Sequence, residues 1–137
     1  MINNRKGGDL LCLSETGSGK TLSYVLPILD FIAKTYQNSK IPYGVALIIV
    51  PTRELCMQVN EYFTNFANVG LKDISSAMLY GGVDPMKQVL EIAKKPHVIV
   101  ATPGRILDHL QKTKGFHLNN IKFLILDEAD KLLNKDF

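Results

Sequence analysis

Two hydrophobic rhythms take turns along this chain. Short apolar runs occur at Leu10-Leu11-Cys12-Leu13, Val45-Ala46-Leu47-Ile48-Ile49-Val50, Ser75 to Tyr80, His97-Val98-Ile99-Val100-Ala101 and Phe123-Leu124-Ile125-Leu126. Each predicts a strand, and the unbroken run 45–50 suits one covered on both faces. Between them apolar residues step by three and four: Leu22, Val25, Leu26, Leu29, Ile32, Ala33 and Tyr36; Leu55, Val59, Phe63 and Phe66; Met86, Val89, Leu90 and Ala93; Ile106, Leu107 and Leu110. These predict helices with those residues facing the core. Thr52, Asp84-Pro85 and Thr102-Pro103 mark helix starts, and Gly70 marks a stop. Pro27, inside the first helical stretch, predicts a kink.

Alternating strands and helices imply right-handed crossovers and an α/β fold, a parallel sheet with helices on both faces. No internal repeat or linker divides residues 1–137, which read as one domain. In such a sheet ligands collect beyond the carboxyl ends of the strands. The polar clusters all fall there: Ser14 to Thr21, Pro51-Thr52-Arg53-Glu54, Gly81-Gly82, Thr102-Pro103-Gly104-Arg105 and Asp127-Glu128-Ala129-Asp130.

Composition narrows the class. A hydrophobic fraction of 46% and a charged fraction of 21% suit a soluble globular domain. The net charge of +3 permits a polyanionic partner without demanding one. No apolar run is long enough to cross a bilayer and no charged-then-apolar leader opens the chain, so an intracellular protein is expected. Cys12 and Cys56 have no paired-ligand spacing and read as buried thiols. His97, His109 and His117 lack ligand spacing and read as structural or surface residues; Lys94-Lys95 and Lys112-Thr113-Lys114 read as solvated helix ends.

The densest chemistry lies in Ser14-Glu15-Thr16-Gly17-Ser18-Gly19-Lys20-Thr21, between a predicted strand and a predicted helix. Converging backbone N–H groups can hold phosphate oxygens only where side chains do not intervene. Gly17 and Gly19 meet that need and permit left-handed dihedrals. The following helix aims its unpaired N–H groups at the same anion. Lys20 can reach the β- and γ-phosphates, and Thr21 can ligate Mg²⁺. Ser14 stands where the usual pattern opens with glycine, and the plain alternative is a Gly/Ser turn. Asp127, after four apolar residues, is a carboxylate fixed at a strand end as a Mg²⁺ site needs, and Glu128 can orient a water for attack. Arg53 and Arg105 sit in first helical turns, where a cation opposes the dipole and invites a bound anion. From spacing alone, two ordinary capped helices with solvent-exposed arginines are the better account of them.

Taken together these residues resemble the DEAD-box ATP-dependent RNA helicases. Ser14 to Thr21 resembles motif I, Pro51-Thr52-Arg53-Glu54-Leu55 motif Ia, Gly81-Gly82 the GG motif, Thr102-Pro103-Gly104-Arg105 motif Ib, and Asp127-Glu128-Ala129-Asp130 motif II. The stretch from Lys94-Lys95-Pro96-His97 through Thr113-Lys114-Gly115-Phe116 resembles more particularly the branch working on pre-ribosomal RNA. The resemblance implies a RecA-like P-loop NTPase lobe that uses ATP and Mg²⁺. Thr16, Gly17, Ser18, Gly19, Lys20 and Thr21 would hold the nucleotide. Thr21 and Asp127 would hold Mg²⁺, Glu128 would place the attacking water, and Asp130 would make contacts within the site. Lys20, Asp127 and Glu128 would carry catalysis. Pro51, Thr52, Arg53, Gly82, Thr102 and Arg105 would line single-stranded RNA by its backbone, which conveys no base sequence. A nuclear, nucleolar setting and a second RecA-like lobe as partner are also implied. The family's glutamine segment before motif I and Ser-Ala-Thr segment after motif II are not among these residues, so the lobe is expected to be partial at both ends. By itself it is expected to be marginally stable or to associate, without useful turnover. A non-catalytic RNA- or protein-binding module, and an NTPase acting on something other than RNA, stay open as alternatives.

Overall fold

The computed structural model describes residues 8–134 apart from Ser14, Thr16, Ser18 and Lys72. Elements alternate as expected: α1 (Lys20–Thr35), β1 (Ala46–Ile49), α2 (Arg53–Gly70), β2 (Ser76–Leu79), α3 (Pro85–Ala93), β3 (Val98–Ala101), α4 (Pro103–Lys112), β4 (Phe123–Leu126) and α5 (Ala129–Leu133). The strands lie in the order β2-β3-β1-β4 and every pairing is parallel. All four carboxyl ends therefore share one edge.

The middle of the sheet is covered on both faces because β1 and β3 send successive side chains to opposite sides. Ala46, Ile48, Val98 and Val100 meet Val25, Ile28, Leu29 and Ile32 of α1 and Cys56, Val59 and Phe63 of α2. Leu47, Ile99 and Ala101 meet Ile92 of α3, Ile106 of α4 and Phe116. The Cys56 thiol donates to the Val100 carbonyl at 3.2 Å, and burial pushes it up to about 12. Thr52 caps α2 by accepting from Leu55 N at 3.2 Å, and Asp84 caps α3 by accepting from Met86 N at 3.0 Å.

Several sequence expectations fail here. Leu10-Leu11-Cys12-Leu13 is not a strand: Leu10, Leu11 and Leu13 are 59%, 80% and 87% exposed, and Cys12 is exposed rather than buried. A strand exists only through a ladder, and these residues form none, although the outer edge of β4 is unpaired among the described residues. On α3 the residues turned inward are Gln88 and Ile92, while Met86 and Leu90 are exposed. On α4 they are Ile106 and His109, while Leu107 and Leu110 are exposed. Both helices have rotated to bury a polar cluster described below. On α1, Ile28 is buried and Leu26 exposed, and the helix continues through Pro27 to Thr35.

Candidate functional site

At the shared carboxyl edge α1, the helix that follows the glycine-bearing loop, is joined to the first residue after β4 by a direct contact. Gly17 and Gly19 adopt φ +81° and +83°, with open space where a Cβ would stand. Gly19 is the N-cap of α1, so Lys20 and Thr21 form its first turn. One turn further, the Tyr24 hydroxyl donates to Asp127 Oδ2 at 2.7 Å, across 103 positions of sequence. Thr21 lies close enough to Tyr24 to offset part of the upward shift of its hydroxyl. Burial first, and the Asp127 hydrogen bond second, push the Tyr24 hydroxyl far above its ordinary range, so it stays a donor. Of the two side chains expected to hold Mg²⁺, Asp127 is thus tied to α1, the helix whose first turn carries Thr21. Thr16 and Ser18 lie outside the described residues.

Asp127 is anchored at the end of β4 by its own N–H, which donates to the Ile49 carbonyl at 3.0 Å. Its Oδ1 accepts from Glu128 N at 2.9 Å. Glu128 has φ +50° and ψ +49°, a left-handed conformation at a residue with a Cβ. That conformation costs about 1–2 kcal/mol and serves to turn the chain from strand into α5. The Glu128 carboxylate pairs with Lys131 Nζ at 2.7 Å. Asp130 is exposed in the first turn of α5. Among the described residues no cluster of three or more His, Cys, Asp or Glu gathers. Mg²⁺ suits such a place, because it is usually held by one or two protein oxygens with phosphate and water completing the shell.

Beyond the phosphate loop, two arginines flank the Gly81-Gly82 turn. The Arg53 guanidinium lies 5.1 Å from the centre of the Tyr80 ring. Gly82, at φ +81°, leaves Arg53 Nη1 only 3.8 Å from where a Cβ would stand. On the other side Arg105 Nη1 donates to the Val83 carbonyl at 3.1 Å and to Gln88 Oε1 at 3.3 Å. Pro51 is buried, Thr52 is exposed with its hydroxyl engaged in the α2 cap, and Thr102 is the α4 N-cap without a side-chain cap bond. The expected backbone-binding residues Pro51, Thr52, Arg53, Gly82, Thr102 and Arg105 therefore follow β1, β2 and β3 along one edge.

Sequence reasoning missed Tyr24, Tyr80, Gln88 and His109. Tyr24 had left a signal: an aromatic with a polar tip, one turn after Lys20. Gln88 and His109 left none, because apolar neighbours on their helices offered a more obvious inward face.

A parallel α/β sheet with a glycine-bearing loop opening a helix, and a strand-end carboxylate tied to that helix, defines the class of phosphate-loop nucleotide-binding lobes. The chain belongs to the DEAD/DEAH box helicase family, whose pattern it matches over residues 1–137. It is 48% identical over 133 residues to a human protein described as probable ATP-dependent RNA helicase DDX47, covering 96% of this chain and 28% of that relative. It is 48% identical over 133 residues to the ATP-dependent rRNA helicase rrp3 of Aspergillus niger, covering 96% of this chain and 27% of the other. Among solved structures it is similar to the DEAD-box helicase Mss116 bound to ssRNA and UDP-BeF, with TM-score 0.80 and 32% identity over 90% of this chain and 25% of that one. The chain thus spans about a quarter of the length of these relatives. The fold is that of the RecA-like helicase lobe, as the resemblance implied.

Proposed function

We propose that this chain is the nucleotide-binding lobe of an ATP-dependent RNA helicase acting in ribosomal RNA processing. In that role the intact protein couples Mg-ATP binding and hydrolysis to single-stranded RNA backbone binding and duplex unwinding. The observation carrying this reading is the Tyr24–Asp127 contact, which sets the helix behind Lys20 against the motif II carboxylate. The flanking arginines at Gly81-Gly82 supply the second half.

The residues present fit Mg-ATP. Left-handed Gly17 and Gly19 put no Cβ in the way of a phosphate, and Asp127 offers a hard oxygen tied to the helix that carries Thr21. Thr16, Gly17, Ser18, Gly19, Lys20 and Thr21 would hold the triphosphate, and Thr21 with Asp127 would hold Mg²⁺. When bound, Mg-ATP supplies the phosphoryl group and much of the charge neutralisation its transfer needs. Lys20 adds a cation on the β- and γ-oxygens. Glu128 orients the attacking water and takes up its proton, for which its carboxylate must leave Lys131. Pro51, Thr52, Arg53, Gly82, Thr102 and Arg105 bind RNA phosphates and sugars, so target choice falls to partners. A second RecA-like lobe in the intact protein would close the nucleotide site. The similarity to proteins named as rRNA helicases supports the rRNA substrate and a nucleolar setting.

Glu128→Gln in the full-length protein tests the enzyme reading. ATP binding is expected to persist while hydrolysis is lost. Unchanged turnover would remove Glu128 from the chemistry, and no turnover in either protein would favour a non-catalytic RNA- or protein-binding module.

A further inference from the structure

A buried polar cluster lies between α3 and α4, next to the Gly81-Gly82 turn. Gln88 is 4% exposed and His109 2% exposed, the two polar residues buried to this degree among the described residues. Gln88 Nε2 donates to the Tyr80 carbonyl at 2.9 Å, which assigns Oε1 as the acceptor end of the amide. That oxygen has two lone pairs, and both are engaged: Arg105 Nη1 donates at 3.3 Å and His109 Nε2 at 3.0 Å. His109 must then carry its proton on Nε2, with Nδ1 accepting from the Thr113 hydroxyl at 2.8 Å. Burial, reinforced by the Arg105 charge, holds the ring below the ordinary histidine range and keeps it in this neutral form.

The arrangement is costly for a core. Two helices turn Met86, Leu90, Leu107 and Leu110 outward so that an amide and an imidazole can be buried instead. Its return is orientation at the edge of the sheet. Both hydrogens of Arg105 Nη1 are fixed, one on Val83 O and one on Gln88 Oε1, which sets the plane of the guanidinium. Nε and Nη2 are left to point elsewhere, in the fork geometry that matches a phosphate. The same Gln88 amide holds the backbone of Tyr80, whose ring carries Arg53. One buried side chain thereby reaches the supports of both arginines.

We propose that Gln88, locked by His109, is a positioning residue that pre-organises Arg105, and through Tyr80 also Arg53, for an RNA backbone it never touches. This rests on the reading of those arginines as RNA contacts. Ordering a long cation before binding removes that entropic cost from association.

The test uses full-length protein and a fluorescein-labelled oligouridine, with Mg²⁺ and a non-hydrolysable ATP analogue, read by anisotropy across a salt series. Gln88→Met is expected to weaken RNA binding by about tenfold, the scale set by freeing an ordered side chain or two. It should also flatten the salt dependence by roughly 0.7, the slope of one lost single-strand phosphate contact. Binding of a fluorescent ATP analogue should not change. In combination with Arg105→Ala the loss should fall short of the product of the single losses, because the part of the Gln88 effect that runs through Arg105 is already gone. If Arg105→Ala weakens RNA binding while Gln88→Met leaves affinity and slope unchanged, or if the two losses multiply, the positioning role is overturned and the RNA reading of Arg105 stands. If Arg105→Ala has no effect on RNA, both fall. Should Gln88→Met not fold, His109→Leu is read in the same assays. Wild-type affinity and slope in that variant would equally overturn the proposal.

Discussion

Replacing Tyr24 with Phe isolates the contact that ties α1 to Asp127. The phenol ring packs against the cluster under α1 and is retained in Phe, so the substitution deletes one oxygen. That oxygen donates to an ionised carboxylate at 2.7 Å in a half-buried setting. Hydrogen bonds to charged groups contribute about 1.5–3 kcal/mol, and the partial exposure of Asp127 argues for the lower end. A loss of about 1.5 kcal/mol corresponds to roughly a tenfold shift in a local opening equilibrium. Amide hydrogen exchange in the full-length protein, without nucleotide, can read that shift peptide by peptide. Peptides from the first turns of α1 and from residues 127–133 should exchange about tenfold faster, while those from β1 and β3 keep their protection. On an Asp127→Ala background the same substitution should add nothing beyond about 0.5 kcal/mol, since its partner is gone. Unchanged exchange in α1, or an equal effect with and without Asp127, would refute the claim that this hydroxyl ties the phosphate-loop helix to β4.

Two further outcomes follow from burial. His97 and His109 are both held below the ordinary histidine value, chiefly by burial. The unfolded chain therefore binds protons that the folded one refuses, so stability is full above about pH 6.5 and falls as pH drops below it. Thermal midpoints should decline on acidification from about pH 7 to about pH 5, less steeply in His109→Leu, and a flat profile in both proteins would contradict this. The 137-residue chain by itself should associate, because β4 has one unpaired edge among the described residues and exposes Leu124 and Leu126 at 57% and 49% beside an exposed Leu133. Sedimentation velocity showing only monomer over a wide concentration range would count against it.

Strand and helix alternation was legible because β1 and β3 are covered on both faces, and such strands show as unbroken apolar runs. The site loops were legible because each follows such a run. The failures have separate physical causes. Leu10 to Leu13 has a strand-like composition, but a strand also needs a partner edge, which composition cannot report. For α3 and α4, apolar periodicity selected the wrong faces. Gln88 could be buried only because the Tyr80 carbonyl, Arg105 and His109, from three other segments, satisfy it. No property of residues 85–93 taken alone contains that information.

These departures are not scattered. The elements that obey the pattern, β1, β3 and the inner faces of α1 and α2, form the middle of the fold. The exceptions sit beside the carboxyl edge: a polar cluster under the Gly81-Gly82 turn, an aromatic hydroxyl diverted to Asp127, and left-handed Glu128. Glu128 shows the logic most clearly. Its conformation costs about 1–2 kcal/mol, and two local interactions offset it: its N–H on Asp127 Oδ1 and its carboxylate on Lys131. A residue serving only to start α5 could avoid that cost by being glycine or asparagine. Keeping a long carboxylate at that strained position is what the water-orienting role proposed for Glu128 predicts, and it is the role that Glu128→Gln tests.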